Sequence, residues 1–204
     1  VAEGSVAGNL SVSGNVTITG TSLTVDGNEA LVVDKTNQPI EISSSAGDGS
    51  ITVDSSGRVV NPNQPTFLAW KDTSAQTLSG ATWTKITLDT VASPGWNVGS
   101  YFNTSTSRFT APISGMYFIS YNIQFGSSVS GYLYSGLRIN GTVWFYGDGR
   151  NVNTHNGDNT LGHGTCVRLA ASDYVELWGY HGTGSVLGYT TARTNMCGYL
   201  VTTI

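Results

Sequence analysis

Charge is scarce in this chain. Only 11% of its 204 residues are charged, thirteen acidic against nine basic, for a net charge of −4. Nine scattered Lys and Arg residues do not supply the local density that phosphate contacts demand, which excludes nucleic acid as a partner. Cysteine is nearly absent. Cys166 and Cys197 make no disulfide framework and sit in apolar strand contexts, so buried free thiols are expected, with a bond between them left open. No apolar run approaches a membrane span, nothing resembles a signal peptide, and helical periodicity is missing. The chain begins at Val1 without a methionine, which reads as a fragment or a processed product.

Catalytic constellations are lacking too. The carboxylates are scattered with no pair on a glycosidase-like spacing, and no Gly-x-Ser-x-Gly elbow or phosphate-cradling loop occurs. His163 and Cys166 stand close in sequence, but no second pair completes a tetrahedral metal site. The chain is therefore expected not to be an enzyme.

What is present is β chemistry. Hydrophobic residues make up 39%, with ten tyrosines and five tryptophans, arranged in short β-branched and aromatic runs between turn residues. An all-β fold follows. The first sixty residues are fibrous in character: Gly8-Asn-Leu10-Ser-Val12-Ser, Gly14-Asn-Val16-Thr-Ile18-Thr and Gly20-Thr-Ser-Leu23-Thr-Val25 form hexad-like units of alternating strand closed by glycine turns. One such unit cannot bury its own apolar face. Three chains wound about one axis would bury it with few units each, so residues 1–62 read as an intertwined trimeric β fibre resembling a triple-stranded β-helix. Weaker strand character continues through Leu31–Asp34, Ile40–Ile42 and Ser50–Asp54. Pro62 and Pro65 then mark a boundary, and residues 63–204 read as a globular head.

Strands are expected in the head at Thr66–Trp70, Thr82–Leu88, Arg108–Thr110, Met116–Phe125, Tyr132–Ile139, Thr142–Tyr146, Gly164–Leu169, Tyr174–Gly179 and Met196–Thr203. Asn140-Gly141 is a hairpin turn signal. This pattern fits a jelly-roll sandwich. Met116–Phe125 is apolar on both parities: Met116 and Phe118 point one way, Tyr117, Ile119, Tyr121, Ile123 and Phe125 the other. Such a strand must be covered twice, once by the facing sheet and once by another copy of the chain. Phe109, Met116, Tyr117, Phe118, Ile119 and Tyr121 are the expected core and trimer-interface residues.

The spacing Asn97, Phe102, Phe109, then Gly115-x-Tyr117-x-Ile119-x-Tyr121 resembles the signature of the complement one-q globular head, which shares the trimeric jelly roll of tumour-necrosis-factor-like proteins. Val91 and Ile119 stand where that family usually has phenylalanine. The segments Leu169–Leu177 and Cys197–Val201 resemble the family's last two strands. Joined to a glycine-asparagine fibre, such a head resembles the distal part of a bacteriophage tail fibre. The resemblance implies a homotrimer in the virion tail, in contact with other tail components and with a bacterial surface glycan or outer-membrane protein.

Two exposed segments are the expected contact regions. The polar loop from Tyr146 to Thr160 offers Asp148, Arg150, His155 and Asp158, and its carboxylates Asp148 and Asp158 are weak calcium candidates, since relatives of the complement one-q head often hold calcium. The aromatic-glycine segment from Gly179 to Tyr189 offers Tyr180, His181 and Tyr189, whose rings suit stacking on sugars. Adhesion is the expected function. Its rivals are a structural module that trimerises or caps the fibre and, less favoured, a glycan depolymerase.

Overall fold

The structure is a computed structural model that describes residues 40–43, 49–53, 56–61, 63–73, 75–92, 96–126, 129–155, 159–187 and 192–204. The hexad units before residue 40, which carry the fibre expectation, lie outside the described residues. In chain order the strands are β1 (Ile40–Ser43), β2 (Gly49–Val53), β3 (Val59–Val60), β4 (Thr66–Trp70), β5 (Gln76–Leu78), β6 (Thr82–Lys85), β7 (Thr90–Val91) and β8 (Phe102–Asn103). They continue with β9 (Arg108–Thr110), β10 (Gly115–Phe125), β11 (Val129–Ile139), β12 (Val143–His155), β13 (Asn159–Leu169), β14 (Tyr174–His181), β15 (Ser185–Leu187) and β16 (Asn195–Thr203).

The first three strands form a small antiparallel sheet of their own, with Ile40 opposite Val53 and Val53 opposite Val59. The rest make a two-layer sandwich. One layer has seven strands in the order β5-β15-β10-β16-β4-β7, with β13 on the free side of β10. The other has five in the order β12-β11-β14-β9-β8. All of these pairings are antiparallel, and the result is a jelly-roll sandwich.

Alternation along β10 decides how the layers meet. Tyr117, Ile119, Tyr121, Ile123 and Phe125 are buried to 1% exposure or less, whereas Met116 and Phe118 on the opposite parity are half-buried. The buried set packs against Leu133, Leu137, Val175 and Leu177 of the facing layer. Phe109 seals one end, its ring 4.5 Å from Phe67 and 5.4 Å from Tyr117. Asn97 closes the loop into β8: its side chain donates to the Phe102 carbonyl at 3.0 Å and accepts the Phe102 N–H at 2.9 Å.

Tyr117, one of the expected core and interface residues, is in the core of its own chain, where its hydroxyl donates to the Ile113 carbonyl. Two expectations change. The polar stretch after Tyr146 is strand as far as His155: β12 pairs antiparallel with β11 from Ile139 opposite Val143 to Val129 opposite His155, with two register shifts, and residues 156–158 lie outside the described residues. The cysteines are not buried. Each lies on the outer parity of its strand, so Cys166 is exposed and Cys197 half-buried, and they are not bonded. Asn140-Gly141 does turn the hairpin, with φ of 51° and 70° and the Thr142 N–H donating to the Ile139 carbonyl at 3.0 Å.

A buried hydroxyl node ties the layers together. Tyr121 Oη lies 3.2 Å from Ser135 Oγ, which also bonds the backbone of Asp148 where β11 and β12 shift register. Gly147 leaves the room for it, since a Cβ there would collide with the Tyr121 hydroxyl. Tyr121→Phe should cost about 1 kcal/mol in urea unfolding. Gly147→Ala should be more damaging, and less so in the Tyr121→Phe background than alone. Strict additivity of the two changes would show that the hydroxyl does not set the space at Gly147.

Candidate functional site

Two outer faces of the sandwich carry exposed rings, and they differ in kind. On the seven-stranded layer, Phe118 stands opposite Cys166 on β13 and Tyr199 on β16, with its ring 5.6 Å from that of Tyr199. Leu68, Trp96, Phe118, Cys197 and Tyr199 line a predominantly apolar groove of about 550 Å³. Trp96 and Tyr199 are exposed, and half-buried Met116 shares the outward parity of Phe118 on β10. Among the described residues of a single chain nothing covers this apolar face.

On the five-stranded layer, outward positions of β11, β12 and β14 and the flanking β6 bring five rings together. Tyr132 and Tyr134 are two residues apart on β11, with parallel rings (4° between planes) 6.1 Å apart. Tyr180 on β14 sits directly opposite Tyr134, its ring 5.7 Å away. Trp83 on β6 touches Tyr134, Tyr180 and Tyr146 at 6.4, 5.8 and 5.8 Å. Tyr134 lies over Gly149, where a Cβ would come within 2.5 Å of its ring. Tyr132, Tyr134 and Tyr146 remain 52%, 38% and 68% exposed.

The charged groups beside these rings are engaged within the protein. The Glu176 carboxylate, 2% exposed, accepts from Arg108 Nε at 2.8 Å, Lys85 Nζ at 3.0 Å and Trp178 Nε1 at 3.1 Å. Burial alone would raise its pKa, but these donors outweigh it and hold the carboxyl below its usual range. The Arg138 guanidinium lies 4.9 Å from the centre of the Trp178 ring.

The structure separates the residues singled out from the sequence. Tyr180 joins the ring cluster. Arg150 is exposed, but it stands opposite buried Leu133 and so takes the other parity from Tyr132 and Tyr134. Asp148 sits half-buried at the register shift. His181 is not a surface residue: its ring is fully buried beside Phe125, because its position on β14 points inward. His155 ends β12, while Asp158 and Tyr189 lie outside the described residues. The calcium reading finds no support among the described residues, where no three His, Cys, Asp or Glu side chains stand together. Sequence reading passed over Trp83, Tyr132 and Tyr134. The signal was the alternation of Tyr132 and Tyr134 with inward Leu133 and Ser135.

The C1q domain family matches residues 67–201, well over half of the chain. The chain belongs to the C1q domain family. Solved structures agree on the fold. A tumour-necrosis-factor protein, Eiger, from S. frugiperda superposes with a TM-score of 0.57 at 11% identity, covering 70% of this chain and 95% of that one. The globular domain of zebrafish complement 1qA protein gives 0.50 at 15% identity, covering 69% and 99%. No curated protein matches in sequence. C1q domains form homotrimers and typically serve as binding or structural modules. Within this C1q domain, Asn97, Phe102, Phe109 and Tyr117 are the loop clasp and core ring stack described above.

His181 gives the domain an acid sensitivity. Nδ1 accepts the Thr183 N–H at 3.1 Å, while Nε2 is buried with no hydrogen-bond partner. Burial pushes the imidazole pKa below its ordinary 6.5. The unfolded chain therefore takes up the proton first. Stability is full above 6.5 and falls as pH drops from there toward the folded value. Glu176, shifted the same way from 4.5, adds its loss only at lower pH. His181→Gln, which keeps an acceptor but does not titrate, should flatten urea midpoints across the upper window. An unchanged slope in the variant would place the acid response elsewhere.

Proposed function

We propose that this chain is the distal part of a bacteriophage tail fibre, a homotrimer whose C1q head attaches the virion to a bacterial surface glycan or outer-membrane protein. The observation that carries this reading is the outer apolar face around Phe118, joined in one chain to an N-terminal glycine-asparagine hexad repeat. The apolar face asks for further copies of the chain, and the repeat asks for the same three-fold partnership along the shaft. Residues 1–62 then act as the trimeric β shaft, continuous with other tail components, and residues 63–204 as its head. Three identical sites on one rigid body convert weak single contacts into avid attachment. No step of this function calls for catalysis.

Purified full chain should adsorb to cells of a susceptible bacterium and compete with virions for attachment. A trimer that binds no bacterial envelope would favour the rival reading, a module that trimerises or caps the fibre. Shortening of surface polysaccharide on incubation would favour a depolymerase. The interface itself is tested at Phe118. Phe118→Glu places a carboxylate in the apolar groove and should yield folded single chains that adsorb far more weakly. Tyr117→Asp should instead unfold each chain, since Tyr117 is core. If Phe118→Glu remains trimeric, the copies meet elsewhere.

A further inference from the structure

The ring cluster on the five-stranded layer is not accounted for by folding or by the apolar face. Its members do not fill the core, because three of the five rings are exposed by more than a third. Nor does it adjoin the groove at Phe118, which is on the outer side of the other layer. The rings of Tyr132 and Tyr134 are parallel and stacked, and Tyr180 and Tyr146 tilt around Trp83 at 52° and 57° to its plane. Asn151, exposed and directly opposite Tyr132, shares that face.

We infer that this face is a carbohydrate-binding platform, and that its ligand is an uncharged glycan laid across Tyr132, Tyr134, Trp83 and Tyr146. The inference rests on the adhesin reading and deepens it by naming the ligand class and the residues that hold it. The C–H face of a pyranose is apolar and its rim is hydroxylated. An aromatic ring face with a phenol at its edge is complementary to both. Charge decides between ligand classes. The five rings carry no charge of their own, and the cations near them are engaged within the protein, Arg108 and Lys85 by Glu176 and Arg138 against the Trp178 ring. An acidic polysaccharide would find no cation aimed at it from the rings, whereas a neutral sugar chain loses nothing by leaving charge behind. The platform is also preorganised: Tyr134 is seated on Gly149 and wedged against Tyr180 and Trp83, so little rotamer freedom remains to be lost on binding.

The test uses the full-length chain on an array of neutral and acidic bacterial oligosaccharides and purified surface polysaccharides. Binding confined to neutral glycans is expected, accompanied by a shift in tryptophan emission that Trp83→Phe abolishes. Tyr132→Ala and Tyr134→Ala should each weaken it about tenfold, and Tyr134→Phe, which keeps the ring, should not. Solution mass and melting temperature should stay as in the unmodified chain, because Tyr132 is half exposed and its loss leaves the core intact. The platform is overturned if the chain binds no neutral glycan, binds acidic glycans alone, or binds equally well after Tyr132→Ala and Tyr134→Ala. If those variants still adsorb to cells, the adhesin reading stands and this site falls, pointing to a protein receptor held elsewhere. If the unmodified chain neither adsorbs to cells nor binds any glycan, both fall.

Discussion

β10 carries apolar side chains on both faces, and the rest of the head is arranged around covering them. On one side the five-stranded layer closes over Tyr117, Ile119, Tyr121, Ile123 and Phe125 to make the core. On the other side nothing among the described residues covers Met116 and Phe118 fully. Burying apolar surface of this kind is the main favourable term in folding and in stable association alike. One strand thus links the two: the residues that fold the sandwich and the residues that ask for its oligomerisation alternate along a single backbone.

The outer layer is free to do something else. In the proposed trimer β10 and its neighbours turn their outer side to other copies of the chain, and the five-stranded layer is the face left to meet a partner. Its rings differ from the apolar groove in being five together, four of them tyrosines, with a parallel pair among them and charged groups beside them that are held by one another or by a ring. Their rigidity comes from glycine and from ring-on-ring contact, with Gly149 beneath Tyr134 and Trp83 touching three tyrosines. Three such faces on one trimer would supply the multiplicity that weak sugar contacts need.

Much of the fold was legible because period-two alternation and turn chemistry are local. Met116–Phe125 and Asn140-Gly141 announced a strand and a hairpin from their own residues, and Arg108–Thr110 matched in full. Where the reading failed, pairing overrode composition. Gly147-Asp148-Gly149-Arg150-Asn151 looks like a loop, yet β11 pairs antiparallel with it on both sides of a register shift and makes it strand. His181 looked exposed beside its glycines, but the parity of β14 turns it inward. The ring cluster was hidden for a related reason. Trp83, Tyr134, Tyr146 and Tyr180 come from four strands whose adjacency no local pattern reveals. The apolar neighbours of Cys166 and Cys197 suggest burial, but in each strand those neighbours point to the opposite face.

The central claim is that the outer side of β10 is an interface between copies. Light scattering of the unmodified full chain at micromolar concentration tests it most directly. The account predicts a single species of three times the chain mass that persists on dilution while the fold is retained. A stable, folded single chain at that concentration would contradict it.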